Sequence, residues 1–113
     1  MEITQQTIDE KTCIISLDGT LNARSADQVK EAFREVVGKG IRQVVLDLGK
    51  VPFIDSSGLA ALVSGLKTLN ENEGSLKLAS LQSQADLLFR LTMFDKVFEI
   101  HPDVDSASQA FAS

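Results

Sequence analysis

"EITQQTIDEKTCIISL", Glu2 to Leu17, decides the fold. Two β-rich runs, "EITQQTI" and "TCIISL", are separated only by "DEK", Asp9 to Lys11. Three residues turn the chain back into an antiparallel hairpin, whereas a parallel pair needs a crossover of about a dozen residues or more. No helix therefore fits between the first two strands. After Leu17 the pattern alternates. "SADQVKEAFREVVGKG" carries Val29, Phe33, Val36 and Val37 as one apolar stripe at helical spacing. Ser25 and Gln28 have capping-box spacing, and Gly38 and Gly40 end the helix. "RQVVLDL" reads as a buried strand and "SLKLASL" as another. "SQADLLFRL" is a short helix with Ser83 and Asp86 at capping spacing, "KVFEI" a last short strand, and "DSASQAFA" a terminal helix. Strand, helix, strand, helix, strand, helix implies crossover helices over a mostly parallel sheet. The predicted fold is α/β: a mixed four- or five-stranded sheet whose first strand is antiparallel. Its helices fall near residues 25–37, 57–72, 83–91 and 105–112.

Length and composition bound the rest. At 113 residues, a single domain spanning 1–113 is expected, with apolar residues at 43%. The net charge is −5 and the eleven Lys and Arg are scattered. With no Trp or Tyr to stack on bases, nucleic acid is an unsuitable partner, and so is an anionic membrane surface. The lone Cys13 has no disulfide partner and lies in an apolar run, as a small core residue would. "MEITQQTIDEK" lacks the features of a signal peptide, and no apolar run reaches membrane-spanning length. A cytoplasmic setting is expected, with no cofactor and no metal.

The other informative stretch is "PFIDSSGLAALVSGL", Pro52 to Leu66. Leu59, Leu62, Val63, Leu66 and Leu69 form a helical apolar stripe that begins near Ser56 or Ser57. Asp55, Ser56 and Ser57 thus sit between the carboxyl end of a strand and the mouth of a helix. That edge of an open α/β sheet is where sites gather, and a helix N-terminus tolerates an anion. Capping alone is the simpler reading, because Ser and Asp are preferred N-caps. Gly58 complicates it: glycine in a first turn costs about 0.5–1 kcal/mol relative to alanine, which suggests close approach by another group. Phe53 and Ile54 beside a polar turn hint at a contact surface.

"DLGKVPFIDSSGLAALVSGLKTL" resembles the signature segment of the STAS domain, the fold of bacterial anti-sigma factor antagonists. "IISLDGTLNARSADQVKEAF" is similar to the family's strand, turn and first helix, and "LLFRLTMFDKVFEI" to its later helix and last strand. The resemblance spans roughly Ile3 to Phe111. It implies that Ser56 is a phosphorylation site, with Ser57 a mostly structural hydroxyl. The implied partner surface takes in Asp55, Ser57, Gly58, Asn22 and Phe53. The implied partners are an anti-sigma factor serine kinase, which binds the unphosphorylated chain and phosphorylates it with ATP, and a serine phosphatase. The chain would be a substrate and binding module, not an enzyme. Two roles are open for Asp55: orienting the Ser56 hydroxyl, or capping the helix. Two departures stand out. The family turn often reads "GELD" where this chain has "GTLN", ending at Asn22. The family often has glycine after "LT" where this chain has Met93.

Other classes fit less well. A receiver domain would use Asp47 as phospho-acceptor, but needs an acidic pair that Asp18 alone does not supply, and a helix that the hairpin excludes. A serine hydrolase needs a base, and the one histidine, His101, precedes Pro102 in a turn. Neither a nucleophile elbow nor a glycine-rich phosphate loop is present. The remaining alternative is a STAS regulatory module with a different partner: a phosphatase regulator, or a transport or signalling scaffold.

Overall fold

In the computed structural model, which describes residues 1–112, β1 (Glu2–Thr7) runs antiparallel to β2 (Thr12–Asp18). The register runs from Glu2↔Asp18 to Thr7↔Cys13. The turn is closed by the Ile8 N–H on the Thr12 carbonyl at 2.9 Å and the Lys11 N–H on Asp9 Oδ1 at 2.9 Å. There follow α1 (Ala26–Gly38), β3 (Gln43–Lys50), α2 (Ser56–Glu71), β4 (Ser75–Ala79), α3 (Ser83–Leu91), a 3-10 turn (Phe94–Lys96), β5 (Glu99–His101) and α4 (Val104–Ala112). The sheet has five strands in the order β1-β2-β3-β4-β5, with every pair after the first parallel. The predicted fold class and all four helices are present.

The strand order never reverses. Right-handed crossovers that always step the same way place α1, α2 and α3 on one face of the sheet. Side chains alternate along each strand, so β2 splits its apolar run between two cores. Cys13, Ile15 and Leu17 join Phe33, Leu46, Leu48, Leu62, Leu69 and Phe89 beneath those helices. Ile14 faces the other way and, with Val45 and Ala79, packs on Ala107, Val104 and Phe111 of α4. On that second face Lys77 lies 4.6 Å from the Phe111 ring centroid and pairs with Glu99, which also bonds His101 Nε2 at 2.6 Å. Helices α1 and α2 touch closely through Gly65, where a Cβ would meet the Phe33 ring at 2.4 Å.

Two caps differ from expectation. Ser25 stands at the N-cap of α1, but its hydroxyl turns back into the preceding loop. There it accepts the Asn22 N–H at 3.0 Å and donates to the Thr20 carbonyl at 2.9 Å, so no capping box forms. Ser83 is the first residue inside α3, with Gln82 at the cap, which puts its hydroxyl past the position from which a cap is made. The 3-10 turn was not foreseen. It follows Met93, whose φ of +65° is a left-handed conformation that favours glycine.

Candidate functional site

Strand β3 leaves the sheet at Lys50, and the next five residues are fixed from two sides. On one side Leu21 forms an isolated parallel bridge with Ile54. The Leu21 N–H donates to the Phe53 carbonyl at 3.0 Å, and the Asp55 N–H to the Leu21 carbonyl at 3.1 Å. On the other side the Gln84 side chain of α3 acts as a strand would. Its Oε1 accepts the Ile54 N–H at 2.8 Å and its Nε2 donates to the Ile54 carbonyl at 2.9 Å. The Ile54 side chain is fully buried, so the loop is plugged into the core while the Phe53 ring stays 46% exposed.

Asp55 then ends the loop in extended backbone, and its Oδ1 accepts the Gly58 N–H at 2.9 Å. This is an N-cap, and it satisfies one of the orphan donors of the first turn. Of the two roles open for Asp55, the structure shows the cap: among the described residues, it makes no bond to the Ser56 hydroxyl. Ser56, the first helical residue, is exposed, and Ser57 is half-buried. Gly58 is buried, and the close approach its sequence position suggested is intramolecular. A Cβ there would lie 2.3 Å from the Leu21 carbonyl oxygen and 2.7 Å from Leu21 Cγ. Gly58 therefore lets α2 lie against the Leu21 bridge and offers no side chain to a partner. Asn22, next to Leu21, is half-buried. Its Oδ1 accepts the Arg24 N–H at 3.0 Å, and its carbonyl takes the Ser25 and Ala26 N–H groups. Ser56, Asp55, Ser57, Gly58 and Phe53 thus sit on one loop-helix junction, with Asn22 just past the strand-like partner of that loop.

Gln84 was not singled out in the sequence, because a bond between residues thirty apart leaves no local pattern. Residues Thr92 and Phe94 are likewise brought beside Ser56 from a distant segment. The groups that other chemistries would need lie elsewhere. His101 is at the end of β5, held by Glu99. Asp47 lies on the α4 face, where its Oδ1 accepts the Gly49 N–H at 2.9 Å. Among the described residues no cluster of three or more His, Cys, Asp or Glu could hold a metal ion, and no helix is long and apolar enough to cross a membrane. What the site offers is an exposed primary alcohol at the positive end of a sixteen-residue helix.

Residues 3–107 match the STAS domain family. A Bordetella bronchiseptica protein assigned as an anti-sigma factor antagonist, BtrV, is 32% identical over 111 residues, covering 98% of this chain and 95% of that one. The crystal structure of a Thermotoga maritima protein assigned to the same class superposes with a TM-score of 0.91 at 25% identity, over 98% of this chain and 95% of that chain. SpoIIAA from Bacillus, solved in its phosphorylated form, shares the fold with a TM-score of 0.73 at 14% identity, over 96% of this chain and 99% of that chain.

Proposed function

Because the chain belongs to the STAS domain family, we propose that it is an anti-sigma factor antagonist whose binding to a serine kinase is switched by phosphorylation of Ser56. The observation that carries this reading is the asymmetry of the two serines and the acid. Ser56 is exposed, Ser57 is half-buried, and the Asp55 carboxylate is committed to the Gly58 N–H. The relatives assigned as anti-sigma factor antagonists support the partner class.

In the proposed reaction the Ser56 Oγ attacks the γ-phosphorus of ATP held by the kinase. The Oγ–P bond forms, the bond from the γ-phosphorus to the β,γ-bridging oxygen breaks, and ADP leaves. The hydroxyl proton goes to a base of the kinase, while the Asp55 Oδ1 stays on the Gly58 N–H as the helix cap. A phosphatase reverses the step by hydrolysis. This chain contributes position: the loop is locked by Leu21 and Gln84, so the nucleophile stands at a fixed place on the rim.

The phosphate adds about −1.5 to −2 charges at neutral pH. The helix N-terminus favours it by about 0.3–1 kcal/mol, and repulsion from Asp55 offsets that by about 1 kcal/mol per charge pair at 4 Å in water. The net is small beside a domain stability of about 5–15 kcal/mol, so the fold survives modification. The test is a pull-down with unphosphorylated protein, followed by ATP and phosphopeptide mapping. Capture of a serine kinase and label on Ser56 support the proposal. A permease or lipid-transport subunit as the partner, or label on Ser57, overturns it.

A further inference from the structure

The loop between β3 and α2 leaves Ile54 with a backbone N–H and C=O that Leu21 does not use. The Leu21 bridge engages the groups on either side, the Phe53 carbonyl and the Asp55 N–H. In a parallel pairing the groups of the residue between them point the other way, here toward α3. There the Gln84 carboxamide takes both, accepting the N–H at 2.8 Å and donating to the carbonyl at 2.9 Å. One planar group supplies the acceptor and the donor, a pairing that a carboxylate, an ammonium or a hydrocarbon does not reproduce. The base of Gln84 is anchored: the next residue, Ala85, and Phe89 beyond it are fully buried, and the Phe89 ring packs on Phe98 at 5.5 Å. Ile54 is thereby held on both edges, as a residue inside a sheet is. Gln82 also reaches this loop, donating to the Gly49 carbonyl at 2.9 Å, but that bond is exposed and lies at the end of the loop far from Ser56.

We infer that Gln84 is a positioning residue for phosphoryl transfer at Ser56, and that it acts on turnover rather than on affinity for the kinase. The inference rests on the function proposed above. Ile54 stands two residues before Ser56, and Asp55 between them holds the Gly58 N–H as the helix cap. The Ile54 bonds to Gln84 are partly buried. Without the carboxamide the freed N–H and C=O must turn toward water, because buried polar groups are rarely left unpaired. The cap that follows turns with them, and the Ser56 Oγ then samples a range of positions. Transfer requires the attacking oxygen within about 3–3.5 Å of the phosphorus, and a misplacement of about 1 Å costs up to about a hundredfold in rate. The body of α2 stays where it is, since Leu59, Leu62 and Leu69 remain in the core. An interaction needed only at the moment of transfer lowers kcat and kcat/KM together and leaves KM alone.

Gln84→Met and Gln84→Glu both keep the length of the side chain. Methionine makes neither bond, and a glutamate carboxylate sets an oxygen against the Ile54 carbonyl. Gln82→Met is the control, the same change at the same end of α3. The serine kinase captured by the unphosphorylated protein is assayed with ATP on the parent and each variant, and backbone order parameters are measured by NMR on each free protein. Both Gln84 variants are expected to lower kcat at Ser56 about tenfold or more with KM within about threefold, and Gln82→Met to match the parent. The order parameters of Asp55 and Ser56 fall from about 0.85 toward 0.6 in the Gln84 variants, while Leu46 in β3 stays rigid. Parental kcat in both variants, a change confined to KM, or a lower kcat with a loop as rigid as the parent's overturns the inference and leaves Ser56 as the acceptor. Loosening that extends to Leu46 overturns it too, because Gln84 would then hold the fold at large. If no serine kinase is captured, or the parent is not labelled on Ser56, the functional reading falls and this inference with it. A Gln84 variant that fails to fold is set aside and the other decides.

Discussion

Gly58→Ala isolates the contact that holds the start of α2 in place. Two effects oppose each other. Alanine in the first turn of a helix is favoured over glycine by about 0.5–1 kcal/mol. Against this, the added Cβ would stand 2.3 Å from the Leu21 carbonyl oxygen, 2.7 Å from Leu21 Cγ and 2.9 Å from the Leu21 carbonyl carbon. Ordinary van der Waals contact begins near 3.4 Å, so the groups must separate by roughly 1 Å. Leu21 cannot yield freely: its side chain is fully buried, and its N–H and C=O are both engaged, with Phe53 and Asp55. Overpacking costs about 1–3 kcal/mol, and loss of one bridge hydrogen bond adds about 0.5–1.5 kcal/mol. The net is a destabilisation of about 2 kcal/mol, or a melting point lower by about 8 °C at about 4 °C per kcal/mol. Gly38→Ala is the control. It too lies in a helix, but nothing stands within 4 Å of its added Cβ, so alanine raises stability by about 0.5 kcal/mol. Thermal melts of both variants decide. If Gly58→Ala melted at or above the parent, the close contact with Leu21 would not be what fixes the helix start.

Three more outcomes follow from the structure. Met93 holds a φ of +65° with a 61% exposed side chain, so Met93→Gly relieves a strain of about 1–2 kcal/mol at little packing loss; net of the greater chain entropy of glycine, the urea midpoint rises modestly, and a fall would refute it. Burial pushes the Cys13 thiol up to about 11. The native protein at about pH 8 is then labelled by a thiol reagent only as fast as it opens, and labelling becomes rapid in denaturant; fast native labelling would show that Cys13 is accessible. Lys77, and after it His101, holds the Glu99 carboxyl below its usual 4.5 by hydrogen bonding. A depressed carboxyl contributes stability that is full above its ordinary range and is lost as pH falls through the folded value. Glu99→Gln is therefore less stable than the parent at neutral pH, and the gap narrows as the pH falls below the ordinary carboxylate range; a gap that persisted in acid would implicate packing instead.

What was legible in the sequence was what local pattern carries. The three-residue gap at Asp9–Lys11 forced a hairpin, and helical stripes such as Val29, Phe33 and Val36 marked the helices. Whether the sheet had four or five strands stayed open because β5 has only three residues. The caps at Ser25 and Ser83 were misread because spacing shows where a hydroxyl could bond. It does not show that Thr20 and Asn22 hold the Ser25 hydroxyl. At the site, Gly58 advertised a close approach without naming Leu21, thirty-seven positions away. A separation of thirty residues hid the Gln84 clamp on Ile54 in the same way, and Thr92 and Phe94 stand farther still along the chain from the Ser56 they come to lie beside. Met93 was noted as a departure from a family glycine; its left-handed backbone supplies the physical reason glycine is favoured there.

Calorimetric titration of the captured kinase with unphosphorylated and with Ser56-phosphorylated protein tests the switch most directly. An unmatched phosphate at the covered rim costs several kcal/mol. A loss of about 4 kcal/mol corresponds to roughly thousandfold weaker binding. The predicted result is that loss, together with melting transitions that differ little between the two forms. Equal affinities for the two forms would contradict it, as would weaker binding accompanied by a collapsed melting transition.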